Sequence, residues 1–318
     1  MSFNSDVKRE IILSPNTDNI CLLSGLAHSA GNLVLEREGH GLDIVTDIYE
    51  VAQYAVELLN EIKIDSQVTM EEPYGIVKKN TYTISVRGNH ARILLDLCGL
   101  AIYHSGNLES VVRGVDRDLL PDERSKISYL KGVFLGKGAV YVPSGELDDD
   151  KKMGYHLELA LSSEEFAHDL MQIIQELGVN VKSSVRRDTS ILYLKDGDGI
   201  SDMLALMGAM QSVLKIQDVM VVRSVRNNAN RQTNCNIANI TKSVVASSDQ
   251  IEAIEYIRDR VGLDYLTDDL RKTADCRVSN PDATLDELAE ILGISKSGVN
   301  HRLRKIKEIY RQLQKRFK

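Results

Sequence analysis

The chain has 318 residues, 43% of them hydrophobic and 27% charged, with a net charge of −7. This length suffices for two or three domains with ordinary cores, which excludes a small protein that needs disulfides or metal to fold. The chain contains no run of about 18 apolar residues and no basic-then-apolar leader at Met1, so we expect a cytoplasmic protein, neither membrane-spanning nor secreted.

The first two-thirds of the chain contain an internal repeat. Segments 43–65 and 158–180 superimpose without a gap at an offset of 115, and both have the pattern of a strand entering an amphipathic helix. An alternating stretch typical of a strand follows each copy, at 82–86 and 190–194. Another helix is predicted after each of these strands.

A compact apolar helix ending in glycine precedes each copy, at 23–31 and 130–138. Each helix carries an interior glycine, Gly25 or Gly132, which costs about 1 kcal/mol relative to alanine, so we expect the helices to cross in close contact there. An acidic insertion at 143–153 is predicted to be a solvated hairpin loop. The predicted fold class is α+β, a pseudo-twofold module of two αββαβα-type repeats followed by an all-α domain.

An asparagine-rich stretch follows the module, and two interpretations of it stay open. Asparagine favours caps and turns, which predicts a polar linker before a helix near 242–261. Alternatively, the stretch is a polar arm whose basic residues contact phosphate, with Arg223, Arg226, Arg231 and Lys242 as the candidates. The predicted domains are repeat 1 at 1–110, repeat 2 at 111–222, the linker at 223–240, and a helical DNA-binding domain at 241–318.

A helix-turn-helix is predicted at about 284–307, after a helix near 266–277. Thr284 and Glu287 form a capping box, Gly293 supplies a left-handed turn, and Ser295 caps the second helix. The last apolar position expected of the motif falls on Arg302 rather than Leu303, which leaves the register of the second helix open. The apolar residues of that helix form one stripe, with spacings of four, three, four and three: Val299, Leu303, Ile306, Tyr310 and Leu313.

The end of the chain is strongly basic. Residues 295–318 contain nine Lys and Arg and one acid, Glu308, which gives +8, so the rest of the chain must sum to −15. An acidic body with a basic end favours a local contact with double-stranded DNA, and Arg304 and Asn300 have side chains suited to guanine and adenine. The predicted DNA-binding residues lie on the second helix: Lys296, Ser297, Asn300, His301, Arg302, Arg304 and Lys305.

The paired apolar helices resemble the LAGLIDADG motifs of homing endonucleases, and the resemblance covers about 20–223. In active members each motif ends in an acid before its final glycine, and the two carboxylates hold the metal for phosphodiester cleavage. Those positions are Ala30 and Lys137 in this chain. Magnesium requires hard oxygen ligands, and alanine offers none while lysine repels the cation. We therefore predict no catalytic residues, no metal and no nuclease activity.

The cysteines and histidines predict no other reactive centre. Cys21, Cys98, Cys235 and Cys276 lie far apart without a C-x-x-C pair, which favours reduced thiols over a zinc or redox site. The histidines show no metal-ligand spacing. No cofactor is predicted.

A LAGLIDADG-like module joined to a C-terminal helix-turn-helix resembles the WhiA family of bacterial regulators, most specifically at 230–235, at Ala238 and Asn239, and at 295–306. The resemblance implies a transcriptional or nucleoid-associated role in cell division, chromosome segregation or sporulation. It also suggests that the N-terminal module recognises another transcription or cell-division protein or adds DNA surface through its sheets, although its negative charge disfavours a broad DNA groove. Two alternatives remain: an interaction scaffold whose basic helix binds protein or RNA, and an active homing endonuclease, which the missing acids disfavour.

Overall fold

The computed structural model describes residues 2–15, 17–36, 39–73, 80–104, 107–143, 154–187 and 189–317. The chain divides into two compact units, unit 1 (Met1–Ser224) and unit 2 (Val225–Lys318). The insertion predicted to be a hairpin loop lies outside the described residues, apart from its first position, Pro143.

Unit 1 begins with a helix and the first repeat. The four strands of this repeat form an antiparallel sheet in the order β1-β2-β4-β3. A two-stranded hairpin, β5-β6, follows the repeat. The elements are α1 (Phe3–Leu13), α2 (Asn19–Ala30), β1 (Gly31–Glu36), β2 (Gly39–Thr46), α3 (Tyr49–Glu61), β3 (Gln67–Glu71), β4 (Thr81–Arg87), α4 (Gly88–Leu97), β5 (Ala101–His104) and β6 (Asn107–Val111).

The second repeat reproduces the first. Its sheet has the order β7-β8-β10-β9, which matches the first sheet strand for strand. The elements are α5 (Glu123–Lys137), β7 (Gly138–Tyr141), β8 (His156–Leu161), α6 (Glu164–Glu176), β9 (Lys182–Arg186), β10 (Thr189–Leu194) and α7 (Gly197–Leu206).

Strand register confirms the repeat at the level of single residues. Ile44 pairs with Gly31 on one side and Ile84 on the other. Leu159, which is 115 positions later, pairs in the same way with Gly138 and Leu192. The four apolar residues of these pairs are all buried, so the same side-chain layer is built twice.

Each repeat has one strand more than the predicted αββαβα order, so its order is αββαββα. The additional strands, β3 and β9, lie at the edges of their sheets, and every residue in them is exposed. In β9 only Val185 is apolar, so the alternation that identifies strands in a sequence is missing there. In β3, Val68 and Met70 do alternate with polar residues, so this strand has a short sequence signal that the prediction omits.

The predicted helix crossing is confirmed, because α2 and α5 pack through their interior glycines. A Cβ added to Gly25 would collide with the carbonyl oxygen of Tyr129, and one added to Gly132 would collide with that of Leu22. Only glycine permits this approach of two helix backbones. The crossing lies in the main core of unit 1, with the buried residues of both repeats around it.

Helix α8 (Met210–Val261) passes from unit 1 into unit 2 and corrects the prediction of a linker. The segment 223–240 is helical, and no helix begins near 241. Neither proline nor glycine occurs between Gly208 and Gly262, so nothing interrupts the helix, whereas asparagine only weakly disfavours it. No helix in the described part of the chain is long and apolar enough to cross a membrane.

Unit 2 contains the C-terminal end of α8 and three further helices, α9 (Asp268–Ser279), α10 (Leu285–Leu292) and α11 (Lys296–Arg316). Its small core is separate from that of unit 1. The core draws on all four helices, with Ile254 and Ile257 from α8 and Ala274 from α9 fully buried beside Leu288 from α10 and Val299 from α11.

Candidate nucleic-acid interface

The predicted helix-turn-helix is present, and local hydrogen bonds fix its geometry. The Thr284 amide donates to Glu287 Oε2 (2.7 Å), the Glu287 amide donates to Thr284 Oγ1 (3.3 Å), and the first of these bonds holds the pKa of Glu287 below its ordinary value. Gly293 is left-handed, with φ 66° and ψ 31°, and the Ile294 amide donates to the Ala289 carbonyl across the turn (3.0 Å). The angle between α10 and α11 is thus determined by residues visible in the sequence.

The buried stripe of α11 settles the register that the sequence left open. Val299, Leu303 and Ile306 are at most 2% exposed and pack in the core of unit 2. Arg302 lies beside α9, where its guanidinium is 3.3 Å from a carboxylate oxygen of Asp269. Leu303 is therefore the inward residue, and Arg302 belongs to the flank that meets α9.

The remaining predicted DNA-binding residues lie on or beside one exposed face of α11. Ser297, His301 and Arg304 are exposed at spacings of four and three, and Asn300 is half-buried on the same face. Lys305 is exposed beside this face. Lys296 is exposed as well, with its ammonium 2.6 Å from a carboxylate oxygen of Asp286 on α10. The N-terminal half of α11 thus offers a polar and basic surface to a ligand.

The basic residues predicted as phosphate contacts all lie on α8 but in different surroundings. Arg231 and Lys242 are exposed in unit 2. Arg226 is half-buried, and the guanidinium of Arg223, in unit 1, stands 5.3 Å from the centre of the Tyr155 ring. These residues are not one cluster.

No sequence pattern identifies the side chain that anchors the segment before α10. Arg277 is 2% exposed, and its Nη1 donates to the carbonyls of Ala283 (2.7 Å) and Asn280 (3.4 Å) and to the hydroxyl of Ser247 (3.3 Å). Burial lowers the pKa of this guanidinium. In the sequence Arg277 is simply one more basic residue near the end of a helix, which is where such residues usually stand for local reasons.

The positions of the missing acids lie at the ends of α2 and α5. Ala30 is 2% exposed, whereas Lys137 is exposed on the last turn of its helix. A Cβ on Gly136 would lie within 3.1 Å of the Ala30 side chain, so the two helix ends are in close contact. Among the described residues, no group of three or more His, Cys, Asp or Glu could hold a metal ion.

A histidine that sequence analysis left without a role lies at the junction of the two repeats. His28 stacks on Phe166 with ring centres 3.7 Å apart, and its Nδ1 is 2.7 Å from the Tyr129 hydroxyl. Burial lowers the pKa of His28 to about 4, so the ring is neutral near neutral pH. Beside it opens a mostly apolar cavity of about 340 Å³. This arrangement is a packing contact between the repeats.

Comparison with protein families covers most of the chain. The model described as the WhiA N-terminal LAGLIDADG-like domain matches residues 16–101, and the one described as the WhiA LAGLIDADG-like domain matches 126–226. The model of the WhiA C-terminal HTH domain matches residues 229–310. The match to the HTH domain therefore includes the exposed part of α8 as well as the helix-turn-helix.

Whole proteins give the same result. The chain is 34% identical over 324 residues to the probable cell division protein WhiA of Thermoanaerobacter pseudethanolicus, covering 99% of both chains. It is 35% identical to that of Staphylococcus haemolyticus, covering 97% of this chain and 96% of the other. The crystal structure of full-length DUF199/WhiA from Thermatoga maritima matches with a TM-score of 0.57 at 22% identity over 98% of this chain and 99% of that one, which supports the fold.

Proposed function

The chain belongs to the WhiA family, and we propose that it is a sequence-specific DNA-binding transcriptional regulator that acts in cell division, chromosome segregation or sporulation and does not cut DNA. The observation that carries this proposal is the exposed basic face of α11 behind a rigid glycine turn. On this proposal the protein works in the cytoplasm, on the nucleoid.

We propose that α11 enters the major groove with its N-terminal half, as the second helix of such motifs does. Arg304 donates both arms of its guanidinium to a guanine edge, and the Asn300 amide pairs with adenine. Ser297 and His301 lie on the same face and touch neighbouring bases or phosphates. Lys296 and Lys305 flank the face and bind phosphate, which fixes the helix along the duplex.

Arg302 has a different part in this proposal. Its ion pair with Asp269 joins α11 to α9 (3.3 Å), and its side chain is 23% exposed. We propose that Arg302 positions the recognition helix and makes at most a phosphate contact at its edge. Arg302→Ala should weaken binding to all duplexes alike and leave the preference among sequences unchanged, whereas Arg304→Ala should relax that preference.

Unit 1 serves in this proposal as a structural module without chemistry. Cleavage requires carboxylates at the ends of α2 and α5, and Ala30 and Lys137 stand there instead. Unit 1 has a net charge of −11, which disfavours extended contact with DNA phosphates. We propose that it recognises another transcription or cell-division protein.

The test of DNA binding uses the full chain and two matched variants. Arg304→Ala and Lys315→Ala each remove one exposed positive charge from α11, but Lys315 lies in the last turn, away from the proposed contact. Affinity for duplex DNA carrying a selected site is measured across salt concentrations. We expect Arg304→Ala to weaken binding by about tenfold or more, and Lys315→Ala by about twofold or less.

The alternatives give different results in the same assay. An interaction scaffold predicts that neither substitution changes the affinity for DNA and that salt has little effect on binding. An active endonuclease predicts cut DNA when magnesium or manganese is added and intact DNA after chelation. Intact DNA under both conditions, together with binding that weakens steeply with salt, supports the regulator.

A further inference from the structure

The part of α8 in unit 2 that precedes the core has an unusual surface. Every residue from 227 to 246 is exposed, so about five turns of helix have no packing partner within unit 2. No acidic residue occurs between Asp218 and Asp249, although the chain as a whole has 46 in 318 residues. The same interval contains four basic residues, including Arg231 and Lys242, and an acid-free helix in an acidic protein favours a polyanionic partner.

The contacts of α8 with α11 show in which direction this exposed segment extends. Lys307 Nζ donates to a carboxylate oxygen of Asp249 (2.9 Å), and the Tyr310 hydroxyl donates to Glu252 (3.4 Å). Both pairs are 58 positions apart, as expected where two helices run in the same direction. The part of α8 that precedes Asp249 therefore extends towards the N-terminal half of α11, which is the end proposed to contact the bases.

The face of α8 that meets α11 continues along the exposed segment. Residues three and four apart lie on one face of a helix, so the face carrying Asp249 and Glu252 can be followed towards residue 227. It is polar and basic over most of its length. Its successive members are Val245, Lys242, Ala238, Asn234, Arg231 and Asn227.

The opposite face of this part of α8 carries most of its bulky apolar residues, together with Thr233 and Asn236. Val225, Ile237, Ile240 and Val244 are each more than half exposed and are joined there by Ala229. The basic residues of the segment, Arg231 and Lys242, and two of its six asparagines, Asn227 and Asn234, lie on the side of α11. Because both positive charges are there, this is the side expected to face the duplex.

We propose that the exposed segment of α8, residues 227–246, is a second DNA-binding helix. It lies along the same duplex that α11 contacts. Arg231 and Lys242 bind phosphates, and the amides of Asn227 and Asn234 donate to phosphates or base edges between them. This inference rests on the proposed function, because it assumes that α11 holds the DNA.

The low intrinsic helix stability of the segment is a further reason for it to need a partner. An isolated helix of this length is marginal in water, and the segment contains six asparagines, which disfavour helix relative to alanine. Binding along one face orders the helix and supplies the packing that the free chain lacks. The affinity of the full chain should therefore depend on residues far from the helix-turn-helix in sequence.

Two exposed alanines of the segment provide a matched test. Ala229 and Ala238 are nine residues apart, two and a half turns, so they lie on opposite faces. Ala229→Glu and Ala238→Glu have the same change in charge and in helix propensity. In the full chain, with a labelled random-sequence duplex as the probe, we expect Ala238→Glu to weaken binding about tenfold or more and Ala229→Glu about twofold or less.

A second measurement avoids substitutions altogether. Cys235 is the exposed cysteine of the chain and lies in this segment, whereas Cys21 and Cys98 are buried, and burial raises the pKa of each thiol to about 12. We expect the duplex to slow modification of Cys235 by a maleimide at least about fivefold by shielding. Peptide mapping separates this reaction from that of Cys276, which is half-buried on α9.

The outcomes separate this inference from the proposed function. If Arg304→Ala weakens DNA binding but Ala238→Glu binds as tightly as Ala229→Glu, the inference is overturned and the function of α11 stands. An unchanged rate of Cys235 modification in the presence of bound DNA overturns it as well. If the wild-type chain does not bind the duplex, both the inference and the proposed function fail.

Discussion

Unit 1 is built around the crossing of α2 and α5 and unit 2 around the packing of four helices, and the two units differ in what their surfaces carry. Unit 1 has a net charge of −11, and Ala30 and Lys137 stand at the closely packed ends of α2 and α5 in place of acids that could hold a metal. Unit 2 has a net charge of +4 and exposes the polar face of α11. Helix packing thus determines the fold of each unit, whereas the difference in exposed charge is the basis for our proposal that unit 2 binds DNA.

The two units also differ in whether their basic side chains are buried or exposed. In unit 1, Lys8 donates to the Leu135 carbonyl (2.9 Å) and Lys131 to the Thr17 hydroxyl (3.1 Å), and both side chains are 3% exposed. They stabilise contacts between the repeats and are unavailable to phosphate. In unit 2 most of the basic residues of α11 remain at the surface. A count of basic residues alone would not distinguish these two uses.

The largest expected effect breaks unit 1 and leaves unit 2 folded. Gly25→Val places a side chain against the Tyr129 carbonyl at the helix crossing, so we expect a loss of at least about 3 kcal/mol in the free energy of unfolding of unit 1. Gly154→Val is the control, since no other described part of the chain lies within 4 Å of a Cβ there. Hydrogen exchange measured peptide by peptide should show early opening of 1–224 only; equal stability of the two variants would refute the crossing.

The next effect destabilises unit 2 alone. Arg277→Met keeps the length of the side chain but leaves the carbonyls of Ala283 and Asn280 without their buried donor. We expect a loss of about 2 kcal/mol in the stability of unit 2, with Arg277→Lys intermediate because it retains one donor group. Urea unfolding followed by hydrogen exchange of 247–317 measures it. A simultaneous loss in unit 1 would contradict the separation of the two cores.

The two units should also differ in how their stability depends on pH, because the responsible group, His28, lies in unit 1. His28 is neutral when folded, with its pKa lowered to about 4 by burial, whereas the unfolded chain takes up the proton at about 6.5. Its contribution to stability is therefore present above about pH 6.5 and is lost as the pH falls towards 4. From about pH 8 to about pH 5 we expect a loss of about 2 kcal/mol.

The control for this pH dependence is His28→Gln. The variant is less stable at every pH, because it loses the stack on Phe166, but its stability should change less over the same interval. Urea unfolding of both proteins at the two pH values gives the comparison. Parallel curves would show that His28 is not the group responsible.

The smallest expected effects on stability come from two glycines of unit 2 and have opposite signs. Gly293 is left-handed, so Gly293→Ala should cost about 1 kcal/mol through strain of the turn. Gly298 is in α11, and a Cβ there would meet only ordinary contacts, so Gly298→Ala should stabilise unit 2 by about 0.5 kcal/mol. Thermal unfolding of the two variants tests the pair, and equal shifts would contradict the assigned turn.

The sequence predicted the parts of the fold whose hydrophobic patterns are periodic. The repeat offset placed Ile44 and Leu159 at equivalent positions, and the interior glycines located the helix crossing. Capping residues and Gly293 located both ends of α10, because their hydrogen bonds are local. Each of these features depends on residues close together in sequence or on a repeated pattern.

The features that the sequence did not reveal depend on distant or absent contacts. Arg277 binds carbonyls only three to six positions ahead, but it also meets Ser247 of α8 across 30 positions, and His28 meets Phe166 across 138. The edge strand β9 has a single apolar residue, Val185, and so has no periodic signal, whereas β3 carries a short alternation, Val68 and Met70, that the prediction omits. The prediction of a linker at 223–240 is wrong because asparagine only weakly disfavours a helix, and no glycine or proline interrupts this one.

On the proposed function, DNA contacts unit 2 and not the sheets of unit 1. The most direct test of this proposal is lysine acetylation of the full chain with and without bound duplex DNA, read out by mass spectrometry. Lys305 on α11 and the unit 1 lysines Lys137 and Lys182 are all exposed in the free protein. We expect bound DNA to slow the acetylation of Lys305 and to leave the acetylation of Lys137 and Lys182 unchanged. Protection of the unit 1 lysines with Lys305 still reactive would contradict the proposal.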